Sequence, residues 1–104
     1  MIDRILSLIG FSKKAGMLAC GTNRVIDTIK FKKAKLVILA SDIADNTYDK
    51  ISSLAKQSKI QVVRLSTISE LSKITGEENK GTFAILDKKF SEPIIKLLET
   101  SDIK

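Results

Sequence analysis

Apolar positions along the chain alternate between two rhythms. Ile2, Ile5, Leu6 and Ile9 recur at helical spacing, so Met1–Lys14 reads as a helix that Gly16 stops. Met17–Cys20 follows as a short strand. Gly21-Thr22-Asn23 opens a second helix with Val25, Ile26 and Ile29 as its apolar face. Lys35–Ala40 is a strand without polar alternation, the pattern of a strand covered on both faces. Asn46 with Asp49, and Thr67 with Glu70, each have the three-residue offset of a capping box. The helix after Asn46 turns Tyr48, Ile51, Leu54 and Ala55 inward; the helix after Thr67 turns in Ile68, Leu71 and Ile74 and ends at Gly76. Ile60–Leu65 and Thr82–Leu86 complete the strands. Ser91-Glu92-Pro93 starts a last helix, with proline in the first turn, and Thr100–Lys104 frays. Helices and strands in strict alternation predict one α/β domain over residues 1–104, a three-layer α/β/α sandwich around a four-stranded mixed sheet.

Composition narrows the chemistry. Hydrophobic residues make up 43% of the 104, enough for a core, and the longest apolar run, Leu36–Ala40, is far too short for a bilayer. The start lacks the basic-then-apolar order of a signal segment, and the single cysteine fits a reducing compartment, so a cytoplasmic protein is expected. The absence of histidine removes the commonest general base and metal ligand. The five glycines match neither phosphate-loop nor dinucleotide spacing. No cofactor or metal is expected, and an enzyme has little to stand on. Cys20 reads as a small apolar filler, and Asp42, just past a strand end, as a turn or cap residue.

Charge is unevenly placed. Met1–Lys35 holds eight basic and two acidic residues, so the whole net charge of +6 lies in the first third. That third contains the start of the second helix, where Arg24 sits beside the positive end of the helix dipole, an arrangement a bound anion would relieve. Asn23 can donate and accept at once, as reading a base edge or capping a helix requires. Lys30, Lys32 and Lys33 extend the basic run. The expected partner is a polyanion.

The blocks Lys13-Lys14-Ala15-Gly16, Gly21-Thr22-Asn23-Arg24-Val25 and Ala34–Asp42 occur in the order seen in small bacterial members of the ribosomal protein L7Ae/L30e family, which this chain resembles from about Ile2 to Leu98. Asn46-Thr47, Glu70-Leu71 with Gly76, and Ala84-Ile85 agree as well. The resemblance implies non-catalytic RNA binding, with the kink-turn, a bent internal loop built on sheared G·A pairs, as the target. It places the G·A pairs at Gly21, Thr22, Asn23 and Arg24. The loop Gly76, Glu77, Glu78, Asn79, Lys80 and Gly81 would cover a flipped-out nucleotide, with Ser41 and Asp42 beside it. Lys30 and Lys33 would follow phosphates. The implied partners are ribosomal RNA, bound by a monomer, and ribosomal proteins; no membrane is expected. Two positions depart from the family pattern: Arg24 stands where it has Glu, and Asp27 where it has Lys. Arg24 suits guanine O6 and N7, whereas Asp27 repels phosphate unless Arg24 or Lys30 shields it. A rival expectation is a ribosome-associated protein acting mainly through protein contacts.

Overall fold

The computed structural model describes residues 2–100. The elements are α1 (Ile2–Lys14), β1 (Leu18–Cys20), α2 (Thr22–Lys30), β2 (Leu36–Leu39), α3 (Asp45–Gln57), β3 (Val62–Arg64), α4 (Ile68–Thr75), β4 (Thr82–Ile85) and α5 (Lys88–Thr100). The four strands lie in the order β1-β4-β2-β3. β4 runs antiparallel to both β1 and β2, and β2 runs parallel to β3, so the sheet is mixed.

Successive residues of β2 alternate between the two faces. Leu36 and Ile38 join Ile5, Ile9, Leu71 and Ile94 on the side of α1, α4 and α5. Val37 and Leu39 join Val25, Ile29, Ile51 and Ala55 on the side of α2 and α3. All four β2 residues are fully buried, the reason the strand lacks polar alternation. The three-layer sandwich is therefore present, with three helices over one face and two over the other.

Two helix starts differ from the sequence expectation. Helix α3 begins at Asp45 with Ala44 as its N-cap and no side-chain cap bond, so Asn46 lies inside the first turn and the Asn46/Asp49 capping box does not form. The negative Asp45 in that turn already favours the helix dipole, which lowers the need for a cap. Helix α5 begins at Lys88 rather than at Ser91, and Pro93 lies within it. Asp87 supplies the start: its Oδ1 accepts from the Lys89 N–H at 2.9 Å and its carbonyl from Phe90 and Ser91. The strands are each one to three residues shorter than the apolar runs that signal them. The expected fraying beyond Thr100, and Met1 of the first helix, lie outside the described residues.

The Thr67/Glu70 box forms in modified form. Thr67 Oγ1 accepts from the Glu70 N–H at 3.2 Å, but the Glu70 carboxylate takes the Ser66 hydroxyl at 2.7 Å. Gly76, in the left-handed conformation, closes α4 as expected.

Candidate nucleic-acid interface

The sheet topology brings the expected residues to one end. β1, β2 and β3 all point the same way, and their C-terminal ends meet the N-terminal end of β4, with Cys20 opposite Phe83 and Leu39 opposite Thr82. The start of α2, the turn at Ser41-Asp42 and the loop before β4 therefore converge.

Gly21 is the N-cap of α2. Its φ of 100° is one that side-chain-bearing residues rarely adopt, and no side chain caps the helix. The Gly21 N–H donates to the Thr82 carbonyl at 2.9 Å, and the Thr22 and Thr82 hydroxyls lie 3.4 Å apart, which ties the start of α2 to β4. The first turn of α2 has no acidic residue. Asn23 and Arg24 are exposed, and Asn23 makes no capping bond. The capping role that sequence left open for Asn23 is absent, and its amide faces solvent beside uncapped backbone N–H groups and the positive helix end.

The loop Gly76–Gly81 leans over this start. The Lys80 ammonium lies 3.6 Å from where a Cβ on Gly21 would stand. The loop is pinned by Ser72, whose Oγ donates to the Lys80 carbonyl at 3.2 Å and accepts from the Lys80 N–H at 3.1 Å. Asn79 holds a left-handed φ of 54°. Gly81 sits where no side chain fits, since a Cβ there would be 2.6 Å from Ile43 Cγ2 and 2.8 Å from Ile68 Cγ1.

The third strand-end segment is equally fixed. The Ser41 hydroxyl and N–H both donate to the Ser66 carbonyl, at 2.6 and 2.8 Å. Arg64 donates to the Ser41 carbonyl at 3.1 Å while its guanidinium stacks 4.3 Å from the Tyr48 ring centre. Asp42 acts as a cap across the chain: its Oδ1 accepts from the Ile68 N–H at 2.9 Å and anchors the start of α4.

Lys13 was not among the expected contacts, yet α1 delivers it here. Its ammonium pairs with Glu77 at 2.8 Å, with both side chains about one-third exposed (33% and 29%). The Lys13 hydrogen bond, with added attraction from Lys80 and Arg24, holds the Glu77 carboxyl below its ordinary range. The same bond raises Lys13. Burial pushes the Cys20 thiol up, and the Glu77 charge adds to it, which fits a packed filler rather than a reactive thiolate. The rim of the α2 start thus holds Lys13, Arg24 and Lys80 around the carboxylate of Glu77. No spacing rule links Lys13 to Glu77, which are 64 residues apart; in the sequence Lys13 stands out only in the basic count and in the Lys13–Gly16 block.

The sequence model of the ribosomal protein L7Ae/L30e/S12e/Gadd45 family matches residues 3–95. The chain belongs to this family. Two curated relatives are both named RNA-binding protein YlxQ. The one from Enterococcus faecium is 29% identical over 97 residues, 93% of each chain. The one from Bacillus subtilis (strain 168) is 28% identical over 92 residues, 88% of this chain and 92% of that one. Among solved structures, a protein of unknown function from Bacillus halodurans superposes with a TM-score of 0.87 at 25% identity, covering 91% of this chain and 96% of that one. The Giardia lamblia 15.5kD RNA binding protein superposes with a TM-score of 0.76 at 16% identity over 91% and 82%, a likeness of fold.

In this L7Ae-family chain the remaining expected residues do not join the cluster. Lys30 closes α2 at its far end, and Lys33 follows in the turn toward β2. At about 1.5 Å per residue, the nine-residue helix puts them more than 12 Å from Gly21. Asp27 lies between, exposed, and neither Arg24 nor Lys30 forms an ion pair with it.

Proposed function

We propose that this protein is a non-catalytic binder of structured RNA that recognises a kink-turn or a similarly bent element with sheared G·A pairs. The observation that carries the reading is the start of α2: uncapped, free of acids in its first turn, presenting Asn23 and Arg24 to solvent, and overhung by the Gly76–Gly81 loop with Lys80. Helix N–H groups and the dipole favour an anion or an acceptor edge, Asn23 and Arg24 suit purine edges, and a bent RNA is what exposes such edges. The names of the two curated relatives agree with an RNA ligand. In this reading Ser41 and Asp42 shape the floor, and the Glu77–Glu78–Asn79 segment borders the splayed nucleotide. The protein acts as a cytoplasmic monomer, with ribosomal RNA as the natural source of such an element.

The test is a titration into labelled kink-turn RNA at fixed physiological salt, beside a copy whose sheared pairs are Watson–Crick. Preference for the first copy, weakened by about 1–3 kcal/mol in Asn23→Ala, is the expected result. Equal, weak binding to both would refute it. That outcome would favour the second reading, a ribosome-associated protein acting through protein contacts, for which the unpaired Asp27 on the exposed side of α2 speaks.

A further inference from the structure

The far end of α2 carries chemistry that the proposed kink-turn site does not use. α2 and α3 pack together, and both lead into the parallel strands β2 and β3, so their C-terminal turns share the end of the sheet opposite the α2 start. Phe31 is the C-cap of α2, with its N–H bonded to the Asp27 carbonyl at 2.9 Å, and its ring is 72% exposed. Lys32 and Lys59 hold matching left-handed turns after the two helices, with φ of 59° and 60°, and line one shallow cleft. Lys30, Lys33 and Lys56, near the ends of α2 and α3 in the chain, are also exposed. No acidic residue occurs between Thr28 and Ser41 or between Lys50 and Ser69, the stretches that carry these turns, while Asp27 on α2 and Asp87 after β4 flank this end.

Lysines near helix C-termini offset the negative dipole end, which accounts for part of the pattern. It does not account for a phenylalanine left open among them. A depression on the exposed side of α2 is lined by Arg24, Asp27, Thr28, Phe31 and Lys33. An exposed aromatic ring that shares its depression with Lys33 and Arg24, with Asp27 as the one carboxylate lining it and Lys32 next in the chain, is suited to one polymer chemistry: a base stacked on the ring with its flanking phosphates on the ammonium groups.

We infer that Phe31, with Lys32, Lys33 and Lys59, forms a second RNA contact that takes an unpaired nucleotide flanking the folded element bound at the α2 start. The inference rests on the RNA reading above and extends it to a separate surface. Asp27, between the two surfaces, keeps phosphates off the middle of the helix and divides the contact into two patches.

The test uses the full chain with three labelled probes: a kink-turn hairpin, the same hairpin with a single-stranded tail of about eight nucleotides on either end in turn, and a free oligouridine of the tail's length. The expected result is that a tail tightens binding about fivefold or more, as a stacked base does. Phe31→Ala and Phe31→Leu abolish that gain, Phe31→Trp retains it, and tailless binding is unchanged in all three. Asn23→Ala weakens tailed and tailless RNA by the same factor. No gain from a tail in the unaltered protein, a gain that survives Phe31→Ala or Phe31→Leu, or equal loss of tailless binding in Phe31→Ala would each overturn the inference. If the hairpin is not bound at all, the kink-turn reading fails, and Phe31-dependent binding of the oligouridine decides this second contact separately.

Discussion

Replacing Gly81 with alanine tests how tightly the candidate site is built into the core. The added methyl would stand 2.6 Å from Ile43 Cγ2, 2.8 Å from Ile68 Cγ1 and 3.4 Å from Ala40 Cβ. The first two are well inside van der Waals contact. Ile43 and Ile68 are packed against the core cluster and cannot swing away freely. The Gly81 carbonyl also accepts from the Ala40 N–H at 2.8 Å, so backing away strains a sheet-end bond. Overpacking of this kind costs about 1–3 kcal/mol. At roughly 4–8 °C per kcal/mol for a domain of this size, the midpoint of thermal unfolding falls by roughly 5–20 °C. Circular dichroism melts measure it directly. Ile43→Ala removes one of the clashing groups, so the double variant should lose less than the two single variants summed. Because Lys80 is the next residue, Gly81→Ala should also displace its ammonium from Gly21 and weaken RNA binding in protein that remains folded. A melting point within about 2 °C of the parent would refute the packing argument.

Other outcomes follow from single contacts. Thr67→Ala removes the hydroxyl that caps α4 and should cost about 1 kcal/mol in urea unfolding, with Thr67→Ser restoring most of it. Lys33→Ala should weaken tight and nonspecific RNA by similar factors and lower the slope of log affinity against log salt by about one unit; an unchanged slope would remove Lys33 from the phosphate contacts. The Glu77 carboxyl lies below its ordinary value of 4.5 and Lys13 above 10.5, so their pairing contributes across the interval between those values. It is lost as acid protonates Glu77 below 4.5, and as base deprotonates Lys13 above 10.5. Glu77→Gln should therefore flatten the fall of melting temperature in mild acid. It should also tighten RNA binding at neutral pH, since Lys13 loses its ion-pair partner and Arg24 and Lys80 lose the attraction of the Glu77 charge. Weaker binding would show instead that Glu77 contacts the RNA.

Local signals carried most of the fold. The unalternating apolar run of β2, Thr67 before α4 and Gly76 after it act within a few residues, where sequence spacing is informative. The two misplaced helix starts also had local causes, but competing ones. Asn46 outranks Ala44 as a cap by residue type, yet the chain already turns helical at Asp45. Pro93 suits a first turn by type, yet Asp87 begins the helix six residues earlier. The site divides the same way. The start of α2 stood out through Gly21, Asn23 and Arg24, neighbours in sequence. Lys13 against Glu77, Lys80 over Gly21 and Asp42 on Ile68 are meetings of distant segments that only the sheet order creates. Lys30 and Lys33 were expected at the far end of this helix as phosphate contacts; Lys30 closes α2 and Lys33 follows it in the turn, both away from the cluster at the helix start.

The sheet order also sets when a binding surface can exist. β4 lies between β1 and β2, yet it is the last strand in the chain. β2 and β3 can pair as soon as α3 has formed between them, whereas β1 has no neighbour until Thr82–Ile85 arrive. Insertion of β4 seals the core around Phe83, fixes the overhanging loop just before it and draws Gly21 onto Thr82 in one event. During synthesis, an emerging chain would carry its basic first third for most of its length without a formed pocket. If the α2 start binds RNA as proposed, selective recognition would switch on only once β4 has left the exit tunnel, and specificity would be coupled to its insertion.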